Sequence, residues 1–275
     1  MTTPKYHIYI PSHNRATTCM SAHSCLDEGL DFTIVVEPSQ YKEYRKHFSK
    51  NNIYQLRKDN KGIAYKRNQI IKMAKSDGYD AHWQIDDKIK SFYHKGKDSK
   101  VYRIPMLDSI AALEKIYDSY TDVAVIGQQL NLFTRSLKSP LMFNYPFSCW
   151  LQRTREMPRF NSDTMDDWDY YMQLLHRNEN VVRSNFYLRG IFQVGGTPGG
   201  NSVASEKQLA ALNSKARKVV SDYPDILKIC EGQRKDGVLQ PRPKVRISSY
   251  FKQRPTLVSG ISEEKEYRIL HGFRP

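Results

Sequence analysis

Three short apolar runs, each cut off by polar residues, constrain this chain most. Tyr6-His7-Ile8-Tyr9-Ile10 stops at Pro11 and Ser12-His13-Asn14-Arg15. Phe32-Thr33-Ile34-Val35-Val36 stops at Glu37-Pro38, and Ala81 to Ile85 runs straight into Asp86-Asp87-Lys88. Runs of this length, rich in β-branched and aromatic residues and bounded by turn residues, are strands. Helical patterns lie between them. Ile63, Ile70, Ile71 and Ala74 fall on one face of a helix over 63–75. Residues 17–29, closed by Gly29, and Tyr41 to Phe48 read as further helices, and Ile53 to Leu56 as another short strand. Strands alternating with helices predict an α/β fold with a mostly parallel central sheet flanked by helices.

The pattern continues along the chain. Leu107, Ile110, Leu113 and Tyr117 predict a helix over 107–119, and Val123 to Ile126 a buried strand. Met165, Trp168, Met172 and Leu175 line one face of a helix over 164–176. Leu188 to Val194 reads as a strand entering the glycine-rich loop 195–200. Ser205 with Gln208 forms a capping box for a helix to about Val220. From Pro241 onward, basic residues alternate with prolines and aromatics, as on a surface arm. Residues 1–204 are expected to form the core and 205–275 a helix and basic extension packed on it.

Composition narrows the function classes. No apolar run approaches the roughly 20 residues of a membrane span, and Met1 to Ile10 lacks a signal-peptide core; a cytoplasmic protein is expected. Cys19, Cys25, Cys149 and Cys230 show no zinc spacing and read as reduced thiols. The formal net charge is +14, with eleven Lys and Arg in residues 42–75 against Glu43 and Asp59. A bias of this size points to an anionic partner, nucleic acid first. The basic stretches 88–103 and 242–254 would hold phosphates. Tyr250 and Phe251 would stack on bases or pack in the core. There is no P-loop, no G-x-G-x-x-G, no hydrolase elbow and no H-E-x-x-H.

In parallel sheets ligands bind beyond the carboxyl ends of the strands, so Ser12 to Arg15, Glu37 and Asp86-Asp87 should converge. Two adjacent acids at the end of a buried strand repel each other unless a cation joins them. Their hard oxygens suit Mg²⁺ or Mn²⁺; a simple strand-end turn is the competing reading. Asp163, Asp166, Asp167 and Asp169 cluster at the start of the 164–176 helix. Such acids complement a helix dipole, and four exceed that need, so one is a candidate general base. The 195–200 loop is either a ligand-approach loop or a connection, and His271 a weak candidate metal ligand.

Taken in order, "IPSHNR", "VVEP", "KGIAYKRNQ", "QIDDK" and "MDDWDYY" resemble GT-A glycosyltransferases over residues 6–200. Within these they resemble the compact phage enzymes that glycosylate hydroxylated pyrimidines in DNA, related to the TET-associated glycosyltransferases. The resemblance implies a Rossmann-like nucleotide-sugar half at about 1–105 and an acceptor half at 106–204. It implies that Pro11, Ser12 and Arg15 line the nucleotide pocket, that Glu37 faces the base, and that Arg67 and Asn68 approach the donor. Asp86 and Asp87 match the metal motif, Asp87 being the expected ligand of Mn²⁺ or Mg²⁺. Lys88 replaces a third acid, which leaves the ligand count open or lets Lys88 contact the diphosphate. Asp167 matches the base of inverting members, with Asp166 beside it. No counterpart of the family's C-terminal metal-binding histidine is evident. The implied reaction moves glucose or arabinose from a UDP-sugar to a 5-hydroxymethyl or 5-hydroxy cytosine of double-stranded phage DNA. A glycan or protein acceptor, a non-catalytic nucleic-acid-binding protein and a nuclease are the competing readings.

Overall fold

The computed structural model describes residues 3–96, 98–131, 139–161, 165–191, 206–233 and 239–245, with Thr256, Ser259 and Lys265. Asp163, Ser205, the 195–200 loop, Tyr250, Phe251, His271 and most of the 242–254 stretch lie outside the described residues.

The first half alternates as the sequence pattern predicts. Strand β1 (Ile8–Pro11) is followed by helix α1 (Met20–Asp27), β2 (Phe32–Val36), the single turn α2 (Tyr41–Tyr44), β3 (Ile53–Gln55), α3 (Gly62–Ser76) and β4 (Ala81–Ile85). β1 pairs in parallel with β2 and β4, and β2 with β3. β1, β2 and β4 each run at the carboxyl end into one of the three polar clusters. α1 and α3 start and stop within a few residues of the expected bounds, whereas α2 is half the length of its basic stretch.

Next come β5 (Ile89–Lys95), β6 (Val101–Ile104), α4 (Met106–Tyr117), β7 (Val123–Leu130), β8 (Leu141–Phe143) and β9 (Cys149–Arg153). Then follow α5 (Asp166–His176), β10 (Asn180–Ile191), α6 (Glu206–Asp222), β11 (Leu227–Gln233) and β12 (Leu239–Val245). The large sheet has the order β3-β2-β1-β4-β9-β7-β10-β5-β6, with β8 on β10. Strands β1 to β4, β6, β7 and β10 run one way, and β5, β8 and β9 the other. The sheet is therefore mostly parallel, with antiparallel insertions.

The first core cluster draws on strands from both parts of the sheet. Ile8, Ile10, Ile34, Trp83 and Ile85 pack with Ile110, Leu113, Ile126, Leu151 and Val182. α4 presents Met106, Ile110, Leu113 and Ile116 to it at helical spacing. Its first N–H groups are satisfied from outside the helix: the Glu28 carboxylate accepts from Met106 and Leu107, both at 2.8 Å. A second cluster lies under α5, where Phe147, Trp150, Phe160, Tyr170 and Leu174 meet Val219, Ile226 and Leu227. Residues 241–245, at the start of the expected surface arm, belong to β12, which pairs with β11; prolines are tolerated in such an edge strand. One expectation needs correction. The strand expected to start at Leu188 begins at Asn180. Beyond β12, Thr256 donates its N–H and hydroxyl to Asp122 at 2.8 and 2.9 Å.

Candidate active site

The carboxyl ends of β1, β2 and β4, the start of α3 and the start of α5 enclose a cavity of about 530 Å³. Pro11, Ser12, Arg15, Glu37, Arg67, Asp86, Asp87, Lys88, Asp166 and Asp167 all line it. Parallel strands put these residues together because every βα crossover delivers its polar end to the same edge of the sheet.

Asp87 is 4% exposed. Its Oδ2 accepts from the Ser12 hydroxyl at 2.7 Å, and its Oδ1 from Arg15 Nη1 at 2.6 Å. Burial raises its pKa against the pull of Arg15 and Ser12. For Asp86 burial also opposes ionisation, but Arg67 and Lys88 outweigh it, and its pKa lies below the ordinary carboxylate value. Arg67 Nη2 donates to Asp86 Oδ1 at 3.1 Å, and Lys88 Nζ stands 4.0 Å from Oδ2. The backbone N–H of Asp86 donates to Ser148 O at 2.8 Å. Ser148 itself holds a positive φ of 97°, a strained conformation for a residue with a side chain.

Across the cavity, Met165 takes a left-handed conformation and turns the chain into α5, whose first turn holds Asp166, Asp167 and Asp169. Arg67 Nε donates to Asp166 Oδ2 at 2.7 Å. Burial raises Asp166 to about 6, with repulsion from Asp167 adding to it and Arg67 opposing. Asp167 is less buried and accepts from the Tyr145 hydroxyl and, at 2.9 Å, from Trp168 N–H. One guanidinium, lying 4.6 Å over the Trp150 ring, thus ties the acid at the end of β4 to the acid at the start of α5.

Asn68 does not line the cavity. Its amide N–H donates to Phe160 O at 2.8 Å and its amide oxygen accepts from Phe160 N–H at 3.0 Å. It fastens the segment before α5 to α3. Four further residues belong here. His13 and Ser148 line the cavity, and Tyr145 reaches Asp167. Lys66 lines it while only 2% exposed. Lys66 had a signal in the sequence: with Arg67 it falls at i+3 and i+4 from Ile63, inside the apolar stripe of α3. Tyr145 and Ser148 had none, since the turn before β9 carries no periodicity.

The acids Asp86 and Asp87 offer hard oxygen donors at one strand end, which suit a divalent cation. Among the described residues no group of three His, Cys, Asp or Glu side chains could hold a metal ion. An ion held by a pair of carboxylates takes further ligands, commonly phosphate oxygens and water. Glu37, Asp86, Asp87, Asp166 and Asp167 face Arg15, Lys66, Arg67 and Lys88 around the cavity.

Comparisons with known proteins give the following. The family model described as TET-Associated Glycosyltransferase matches residues 6–194. No curated protein matches the chain. Among solved structures, the crystal structure of A197 from STIV is similar with a TM-score of 0.43 at 10% identity, over 68% of this chain and 85% of that one. A putative nucleotide-diphospho-sugar transferase from Desulfovibrio desulfuricans G20 is similar with a TM-score of 0.42 at 9% identity, over 80% of this chain and 99% of that one. The family match spans well over half of the 275 residues and contains every residue of the cavity, so this chain is a glycosyltransferase and belongs to the TET-associated glycosyltransferase family.

Proposed function

We propose that the chain transfers glucose or arabinose, with inversion, from a UDP-sugar to a 5-hydroxymethyl or 5-hydroxy cytosine in double-stranded phage DNA. The observation that carries this reading is the pairing of acids across one cavity, Asp86-Asp87 on one side and Asp166-Asp167 on the other. In this reading the donor diphosphate lies beside the first pair, joined to it by the cation, and the acceptor hydroxyl beside the second.

In this reading Pro11, Ser12 and Glu37 take the nucleoside end, and Arg15 and Lys88 the diphosphate. Mn²⁺ or Mg²⁺ would be held by Asp87 with Asp86, and when bound it supplies positive charge to the leaving diphosphate. Asp167 is the base. It is the more exposed of its pair and is oriented by Tyr145, whereas Asp166 is taken up by Arg67. Asp167 removes the hydroxyl proton as that oxygen attacks the anomeric carbon from the side opposite the diphosphate; the bond to the diphosphate breaks and UDP leaves. A base in a duplex must leave the stack to reach the cavity. Among the described residues no helix is long and apolar enough to cross a membrane, and we place the reaction in the host-cell cytoplasm.

The test is transfer of labelled sugar from UDP-glucose or UDP-arabinose, with Mn²⁺, to DNA with and without 5-hydroxymethylcytosine. Label should enter only the modified DNA, and Asp167→Asn should abolish transfer while UDP still binds. Label on neither DNA removes the DNA acceptor, and cleavage of unmodified DNA would favour a nuclease. Full activity of the variant removes Asp167 as base.

A further inference from the structure

Lys66 is a buried cation that the reaction above does not use. It leaves α3 on the face turned to the cavity and is 2% exposed. Its amine donates to the backbone oxygen of Ser12 at 2.5 Å. None of the ion pairs among the described residues reaches it, although an ammonium has three N–H donors to place. A charge held out of water with one carbonyl partner is costly unless an anion joins it.

The surroundings say where that anion would sit. The charged groups acting on Lys66 are Glu37 beyond β2, Asp87 beyond β4 and Arg67 on its own helix. Lys66 thus shares the cavity with the acid assigned to the nucleoside and the acid assigned to the cation. The start of α3 opens on the same cavity through Gly62 and Ile63. That helix start has no side-chain cap and no acid in its first turn. The positive end of its dipole favours an anion in the same space as the amine.

We propose that Lys66, together with the N-terminus of α3, binds a phosphate of the nucleotide-sugar donor and takes up a proton as the donor arrives. The inference rests on the nucleotide-sugar reading of this cavity. Burial lowers the free amine's pKa to about 8, so about half of the molecules carry it uncharged at pH 8. A phosphate beside it favours the ammonium, and linkage then requires proton uptake on binding.

Titration calorimetry of the full chain with UDP and Mg²⁺, in two buffers of different ionisation heat, reads this directly. At pH 8 the wild type should take up about half a proton per UDP, and its affinity should fall roughly tenfold from pH 7 to pH 9. Lys66→Met should bind UDP at least tenfold more weakly at pH 7 and lack both the uptake and the fall. Lys66→Arg, charged throughout, should bind without the fall. Unchanged affinity in Lys66→Met, or no uptake by the wild type, overturns the proposal while leaving the donor reading intact. A wild type that does not bind UDP at all overturns both. Should Lys66→Met fail to fold, the wild-type uptake decides alone.

Discussion

Arg67 is the residue on which the two halves of the site depend. Its Nε and Nη2 serve Asp166 and Asp86 at 2.7 and 3.1 Å, and Nη1 reaches Gln84 at 3.4 Å. A fork with separate donors makes these contacts; a lysine offers one point charge. Arg67→Met leaves the buried carboxylate of Asp166 without a counter-ion and Asp86 with Lys88 alone, a change that typically costs about 3–5 kcal/mol at pH 7. The sign with pH follows. Without the guanidinium, burial and the neighbouring Asp167 hold the folded-state pKa of Asp166 still further above its unfolded value. In that window the folded variant binds more protons than its unfolded chain, so its stability recovers as pH falls. In the wild type Asp166 already takes its proton near 6. Denaturant melts should therefore show a smaller gap between variant and wild type at pH 5 than at pH 7, and an equal or wider gap would refute the bridge. Much of this site could be read from the sequence. Ser12, Arg15, Glu37, Asp86 and Asp87 are placed by strand ends, which depend on chain order alone. Lys66 hid in a run of basic residues whose other members are exposed apart from Arg67. Asn68 was readable only as part of a motif, and its amide is spent on Phe160.

At the scale of elements, the parallel half of the sheet was legible and the antiparallel insertions were not. β9 lies between β4 and β7, bonded on both sides, yet it carries Gln152 in its middle. That glutamine belongs to a buried polar chain: its Oε1 accepts from Trp150 Nε1 at 2.8 Å, its amide lies 3.2 Å from His82 Nε2, and His82 Nδ1 meets Thr154 at 2.9 Å. Burial lowers His82 to about 3, so the ring is neutral and shares hydrogen bonds rather than charge. Polar residues that satisfy one another inside a sheet erase the hydrophobic pattern by which a strand is recognised. The turn into β9 is positioned by β7. A Cβ at Gly127 would stand 2.2 Å from Pro146 O and 2.7 Å from Pro146 Cβ. Gly127→Ala must push this segment outward, and with it Tyr145, which orients Asp167, and Ser148, which holds Asp86. A loss of about 1–3 kcal/mol is expected from such overpacking, together with a fall in kcat. Wild-type stability in a urea melt would exclude this coupling of β7 to the site.

For the whole molecule, the charge is the property that the cavity alone leaves unexplained. Of the eleven basic residues in 42–75, Lys66 and Arg67 are buried in the site, while Lys42, Arg45, Lys46, Lys50, Arg57, Lys58, Lys61, Lys72 and Lys75 are exposed. Lys58 and Lys61 flank Asn60, which lines the cavity. On the DNA-acceptor reading proposed above, these exposed charges would meet a backbone of phosphates while one base enters the cavity. Contacts of that kind release counter-ions, and each neutralised phosphate adds about 0.9 to the slope of log affinity against log salt. With several exposed lysines and arginines engaged, the slope for duplex DNA should be about −4 or steeper. The same slope should hold for DNA with and without 5-hydroxymethylcytosine, because the surface charges meet phosphates and not bases. Equilibrium binding between 50 and 300 mM salt measures both. A flat response would detach the basic surface from DNA and leave the sugar acceptor to be sought among glycans or proteins, whereas a steep slope shared by both DNAs would place base selection inside the cavity, between Asp167 and the donor.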